Sequence, residues 1–178
     1  MVGFSPVMTI IITGEIGVGK TTVCQKFIDL ARSRGYQCAG VITYKRAEGD
    51  IIIEDVKTGE TREFASTQQI YSRPHTTKYY FNPEAIDFGI RAIDKGSDSD
   101  INLIDELGIL ELDGQGFSQV PEQINKRQFK KCLVVIRKQL LQDFLSLLVS
   151  KPLVFETTAD NRNELPADIF RVAFTGHD

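Results

Sequence analysis

Gly14-Glu15-Ile16-Gly17-Val18-Gly19-Lys20-Thr21 has the residue types and spacing to hold a chain of phosphates. Gly14, Gly17 and Gly19 let the backbone take positive φ and come close to an anion. The amides from Glu15 to Thr22 then turn inward as an anion nest, and a helix starting near Gly19 adds its positive end. In a complete G-x-x-x-x-G-K-[ST] pattern, Lys20 bridges the β- and γ-phosphates and the Thr21 hydroxyl ligates Mg²⁺. A plain glycine-rich turn is the other reading, and the lysine, the hydroxyl, the spacing and the context argue together against it.

A phosphate loop of this kind needs an acidic partner. Ile101-Asn102-Leu103-Ile104 is an apolar run ending in Asp105-Glu106. Asp105 is placed to hold the Mg²⁺ shell, through water. Glu106 is placed to polarise a water in line with the γ-phosphate, as a general base. A solvated turn carrying two acids is the bland alternative.

These residues need strands and helices to position them. Residues 8–13 form a continuous β-branched run, as expected of a strand buried on both faces. Val23, Phe27, Ile28, Leu30 and Ala31 make a helical stripe over 20–34, stopped at Gly35. Strands are predicted over 39–43, 101–104, 132–136 and 153–156. Residues 50–56 and 61–65 read as a hairpin around Lys57-Thr58-Gly59-Glu60. Residues 67–82 read as a polar, irregular loop. Asn82-Pro83 predicts the start of a helix over 83–95. Further helices are expected within 119–129, over 140–149 and, interrupted by Pro166, over 163–170.

The alternation implies an α/β fold, a three-layer sandwich with a mostly parallel sheet, helices on both faces and a small antiparallel hairpin. Elements at 38–65 and a helix separate the glycine loop from Asp105. With Glu106, this order implies an additional strand between the 8–13 and 101–105 strands.

Composition bounds the rest. A chain of 178 residues predicts one domain spanning 1–178. A net charge of −3 disfavours non-specific nucleic-acid binding. Cys24, Cys38 and Cys132 are odd in number and scattered, which suits a reducing compartment and not a disulfide framework or zinc site. The N-terminal residues do not read as a secretion signal, and no apolar run approaches the ~20 residues of a membrane helix. A cytoplasmic location is the expectation.

Four segments resemble the THEP-type nucleoside-triphosphatases, which include the cancer-related nucleoside-triphosphatase of animals. They are residues 12–22; Gly40-Val41-Ile42-Thr43 with the hairpin turn; Ile104-Asp105-Glu106-Leu107-Gly108 followed by Leu110-Glu111-Leu112; and Thr158-Ala159-Asp160-Asn161-Arg162. The resemblance implies a P-loop NTPase fold and slow, Mg²⁺-dependent hydrolysis of several nucleoside triphosphates to diphosphate and phosphate. It gives Lys20 and Thr21 the phosphate and metal roles, Asp105 the metal shell and Glu106 the base. Asn161 and Arg162 follow the last strand, where ligands of open α/β sheets bind, and would lie near the base or ribose. A helix cap and a surface arginine are their alternative roles. Glu111 fits the pattern without a chemical role of its own, and a structural cap or salt bridge is the other reading.

This chain also departs from the family. Arg137-Lys138 stands where small residues and a proline are usual. Two cations there are either a charge stabiliser for the γ-phosphate or, as preferred, solvated loop residues. Tyr44-Lys45-Arg46 replaces acidic residues, and 113–121 is richer in glycine. His75 and His177 lack metal-ligand partners at useful spacing, and Cys24 reads as a small core residue. The Thr76–Phe81 stretch is a lid, a partner surface or, as preferred, a strand edge or aromatic patch. Two other functions compete with hydrolysis. One is a nucleotide or small-molecule kinase, disfavoured because the arginines are scattered. The other is a nucleotide-gated regulatory module whose partner protein is left open.

Overall fold

A computed structural model describes residues 7–176 of the chain. Met1–Pro6 and His177 lie outside the described residues, so the readings of the leader and of His177 are not addressed.

Eight strands form one sheet in the order β5-β4-β3-β2-β6-β7-β1-β8. They are β1 (Met8–Thr13), β2 (Cys38–Lys45), β3 (Ile51–Asp55), β4 (Thr61–Ser66), β5 (Tyr80–Phe81), β6 (Ile101–Leu107), β7 (Lys131–Ile136) and β8 (Leu153–Glu156). β2, β6, β7, β1 and β8 run parallel to their neighbours in that group. β3, β4 and β5 extend the sheet antiparallel from β2. The expected hairpin is therefore the outer part of the main sheet. β7 lies between β1 and β6, which is the additional strand that the order of elements implied.

Helices cover both faces. α1 (Lys20–Ser33) and α6 (Leu165–Phe170) lie on one face, over Ile10, Ile12, Leu103, Leu133 and Val135. α2 (Pro83–Asp94), α3 (Ile109–Leu112), α4 (Val120–Asn125) and α5 (Leu141–Leu147) lie on the other, over Ile11, Val41, Ile104 and Val134. Ile10, Ile11 and Ile12 are all buried because successive side chains enter opposite cores. That is why β1 reads as an unbroken apolar run. Among the described residues no helix is long and apolar enough to cross a membrane.

Several expectations need correction. Residues 67–82 are not wholly irregular. Phe81 is buried against Phe64, and β5 pairs Ala65 with Phe81 and Ser66 with Tyr80. His75 bridges Tyr80 across this edge. A two-residue strand is too short to show a period, so only the edge-strand reading of the aromatic stretch anticipated it. The helix within 119–129 is the short α4. The 140–149 helix is α5, preceded by a 3₁₀ turn at Lys138–Leu140. Pro166 does not interrupt α6 but stands in its first turn, where a missing N–H costs nothing. The helix then continues as a π-helical turn over Arg171–Thr175.

Asn82 acts as expected: its Oδ1 accepts from the Glu84 amide at 3.0 Å. Its Nδ2 also donates to the Glu63 carbonyl at 3.1 Å, tying the start of α2 to β4.

Gly40 controls how closely β2 approaches β6. Its φ is +100°, and a Cβ there would lie 2.0 Å from the Leu103 carbonyl oxygen. No flexible side-chain end is available to move aside, because the obstacle is backbone. Gly40→Ala should therefore destabilise the protein by ~3 kcal/mol or more. For a chain this long the thermal midpoint should fall by roughly 6–12 °C. An unchanged midpoint in thermal unfolding would contradict this reading of the β2–β6 contact.

Candidate active site

β1, β7 and β6 all end at one edge of the sheet, and the chemistry-bearing residues gather there. β1 runs into the 14–19 loop, which opens directly into α1. Gly19 precedes α1 in a left-handed conformation, and no side chain caps the helix. The free first-turn amides thus face the loop, as an anion site requires. Glu15, Ile16 and Gly17 are exposed at the tip, whereas Gly14 is buried. Gly14 has φ +152°, and a Cβ there would sit 2.7 Å from the Thr157 carbonyl oxygen. The loop is thereby pressed against the residue that follows β8, whose amide donates to the Thr13 carbonyl at 2.7 Å.

Lys20 is buried, and its ammonium donates to the carbonyls of Gly14 at 3.0 Å and Glu15 at 2.7 Å. Burial lowers its pKa, Glu106 raises it and Arg137 lowers it further. All three side chains are therefore within electrostatic reach of one another.

The Thr21 hydroxyl donates to Asp105 Oδ2 at 2.8 Å. These residues are distant in sequence, and the sheet alone brings them together. Asp105 is 1% exposed. Its carboxyl is pushed up to about 7, first by desolvation and then by Glu106, against the Thr21 hydroxyl, Lys20 and the Thr43 amide. Among the described residues no lysine or arginine forms an ion pair with it. A buried carboxylate beside a hydroxyl, with no cation in contact, is a hard-oxygen donor set that a divalent cation would complete. Thr21 and Asp105 thus fit Mg²⁺. No cluster of three or more His, Cys, Asp and Glu residues occurs among the described residues. The remaining ligands would have to come from phosphate and water.

Glu106 is only partly buried and pairs with Arg137 at 2.8 Å. Lys138 pairs with Glu156 at 2.6 Å, and its amide donates to the Gly14 carbonyl at 3.2 Å. The preferred reading as solvated loop residues is compatible with these contacts. Both are exposed enough to meet water, yet each is held by a carboxylate at the rim of the site. Their position in sequence was visible, but their partners depend on strand order.

Glu111 acquires a structural job. Its carboxylate accepts from the Gly108 amide at 2.7 Å and the Phe117 amide at 3.1 Å, closing the segment after β6. Asn161 acts similarly. Its Oδ1 accepts from the Thr158 amide and its Nδ2 donates to the Glu156 carbonyl, both at 2.8 Å. Arg162, fixed by that turn, lies over the glycine loop, with Nη1 3.5 Å from the Val18 carbonyl oxygen. Thr22 is exposed on the first turn of α1. Cys24 is fully buried on the inner face of α1.

A family model described as NTPase matches residues 9–170. The nucleoside-triphosphatase THEP1 of Pyrococcus abyssi is 31% identical over 172 residues, covering 91% of this chain and 90% of that protein. The protein of the same name from Thermotoga maritima is 30% identical, covering 93% and 95%. Two solved structures share the fold. THEP1 from Aquifex aeolicus superposes with a TM-score of 0.70 at 24% identity, covering 94% of this chain and 99% of that one. A human cancer-related nucleoside triphosphatase gives 0.71 at 20% identity, covering 96% and 100%.

The raised pKa of Asp105 makes a signed prediction. Between about 3.8 and about 7 the folded protein keeps a proton that the unfolded chain has lost. This contribution to stability is full below the lower value and disappears as pH rises to the upper one. Without nucleotide or metal, Asp105→Asn should therefore be more stable than wild type at pH 8, by roughly 2–4 kcal/mol. The advantage should vanish near pH 4. Urea unfolding at the two pH values measures it, and equal stabilities at pH 8 would refute the assignment of a buried charge.

Proposed function

The chain belongs to the NTPase family, and we propose that it hydrolyses nucleoside triphosphates to nucleoside diphosphate and phosphate with Mg²⁺. The observation that carries this reading is the 2.8 Å contact between Thr21 and Asp105. It joins the glycine loop to the end of β6, and so brings the neighbouring Glu106 to the same edge as Lys20. The names of the relatives support the reaction class.

The loop amides from Glu15 to Thr22, with Gly14, Ile16, Gly17, Val18 and Gly19 shaping the turn, would cradle the phosphates. Lys20 would exchange its two carbonyl contacts for β- and γ-phosphate oxygens. Thr21, and Asp105 through water, would hold Mg²⁺. When bound, the ion would neutralise charge developing on the β- and γ-phosphate oxygens.

Glu106 acts as the base. A water oxygen forms a bond to the γ-phosphorus as its proton passes to the Glu106 carboxylate. The bond from the γ-phosphorus to the bridging oxygen breaks, and its electron pair leaves with the diphosphate. Arg162 lies over the loop and is proposed to meet the ribose or base. Asn161 supports it by building the turn. A cytoplasmic setting belongs to the proposal as well, supported by three free, buried cysteines.

The test is phosphate release from ATP, GTP, CTP and UTP with and without Mg²⁺. Wild type should turn over several of them slowly, and only with Mg²⁺. Glu106→Gln should lose about 10²-fold or more in kcat while still binding nucleotide. Lys20→Ala should weaken both binding and turnover. No release by a wild-type protein that binds nucleotide would overturn the hydrolase reading. A phosphorylated acceptor in place of free phosphate would make it a kinase.

A further inference from the structure

Arg137 is the first residue after β7, the strand that separates β1 from β6. On one side the next residue is stitched to the glycine loop, the Lys138 amide donating to the Gly14 carbonyl at 3.2 Å. On the other side the Arg137 guanidinium reaches Glu106 Oε1 at 2.8 Å. It therefore stands between the start of the phosphate loop and the residue assigned as base. Lys20, whose ammonium is to meet the γ-phosphate, is within electrostatic reach of both.

The pair has a consequence for the reaction. The Glu106 oxygen that accepts from the guanidinium is occupied and does not face an attacking water. The same guanidinium is a planar fork suited to two phosphate oxygens, and a terminal phosphate carries more charge than a carboxylate. The Arg137 and Glu106 side chains are 40% and 27% exposed, so the pair is screened and breaks at little cost. A γ-phosphate seated on Lys20 would compete for Arg137 and win.

We propose that Arg137 is a γ-phosphate sensor carried within the chain: it leaves Glu106 for the γ-phosphate when a triphosphate binds, which frees Glu106 to accept the proton of the attacking water. A diphosphate lacks the group that draws Arg137 away, so the carboxylate is paired again after product forms. The exchange couples recognition of the third phosphate to activation of the base. The proposal rests on the hydrolase reading for its effect on rate, but its effect on binding stands apart from turnover.

The experiment measures kcat and KM for ATP, and separately the Kd of ADP and of the β,γ-imido analogue of ATP, in wild type, Arg137→Ala, Arg137→Lys, Glu106→Gln and the Arg137→Ala/Glu106→Gln double variant. Arg137→Ala should lose about 10²-fold or more in kcat. It should bind ADP as wild type does and bind the triphosphate analogue about tenfold less tightly. Arg137→Lys should restore part of the triphosphate preference, because a point charge replaces the fork. Glu106→Gln should bind the analogue more tightly than wild type, since Arg137 is no longer shared, and the double variant should lose that gain. Thermal midpoints should barely move, as both side chains are partly exposed.

Wild-type kcat in Arg137→Ala, an equal loss of affinity for di- and triphosphate, or a gain from Glu106→Gln that survives in the double variant would each overturn the sensor. A wild type that releases no phosphate would overturn the hydrolase reading alone, and the affinity ratios would still decide Arg137.

Discussion

A carboxylate buried to 1% exposure beside a threonine hydroxyl is the interaction around which this molecule is arranged. Asp105 has no counter-ion in contact among the described residues, and desolvation pushes its pKa to about 7. Such a group costs stability unless something cationic arrives. The fold keeps it there because the elements on either side are well packed. β6 is flanked by β2 and β7, and both of its faces are covered by helices. The close approach at Gly40 holds β2 against β6 just below the site.

The glycine loop is held from the opposite direction. The residue after β8 contacts Gly14, Lys138 binds the Gly14 carbonyl, and Arg162 lies over Val18 and Gly19. Two chain segments, the one after β7 and the one between β8 and α6, thus converge on one loop. The carboxylate of Glu111 and the side-chain amide of Asn161 do comparable work in their own turns, spending side-chain hydrogen bonds on backbone geometry. They matter to the site through the segments they shape. This explains how Glu111 can lie nine-tenths buried, its carboxylate bound to two backbone amides.

Much of the core was readable because of local pattern. Ile10-Ile11-Ile12 announces a two-sided strand, and Val23, Phe27, Ile28 and Ala31 announce the inner face of α1. Asn82-Pro83 marks a helix start by local hydrogen bonding alone. Two residues carry no period, so β5 was legible only as the edge-strand reading of the aromatic stretch. α3 escaped notice because a single turn depends on the Glu111 contact instead of on propensity. The cost of Pro166 depends on where the helix begins, and packing of Leu165 and Ile169 decides that.

The residues by themselves determined the glycine loop, the acidic pair and the strand–helix alternation, because each is written in adjacent positions and constrained by backbone geometry or side-chain period. They left open which strands lie side by side. Only the tertiary structure set β7 between β1 and β6, and that one choice put Arg137 against Glu106 and Lys138 against Gly14. Ion pairs between distant residues carry no local signature. Their partners are chosen by strand order and register, which arise from burying both faces of the whole sheet at once.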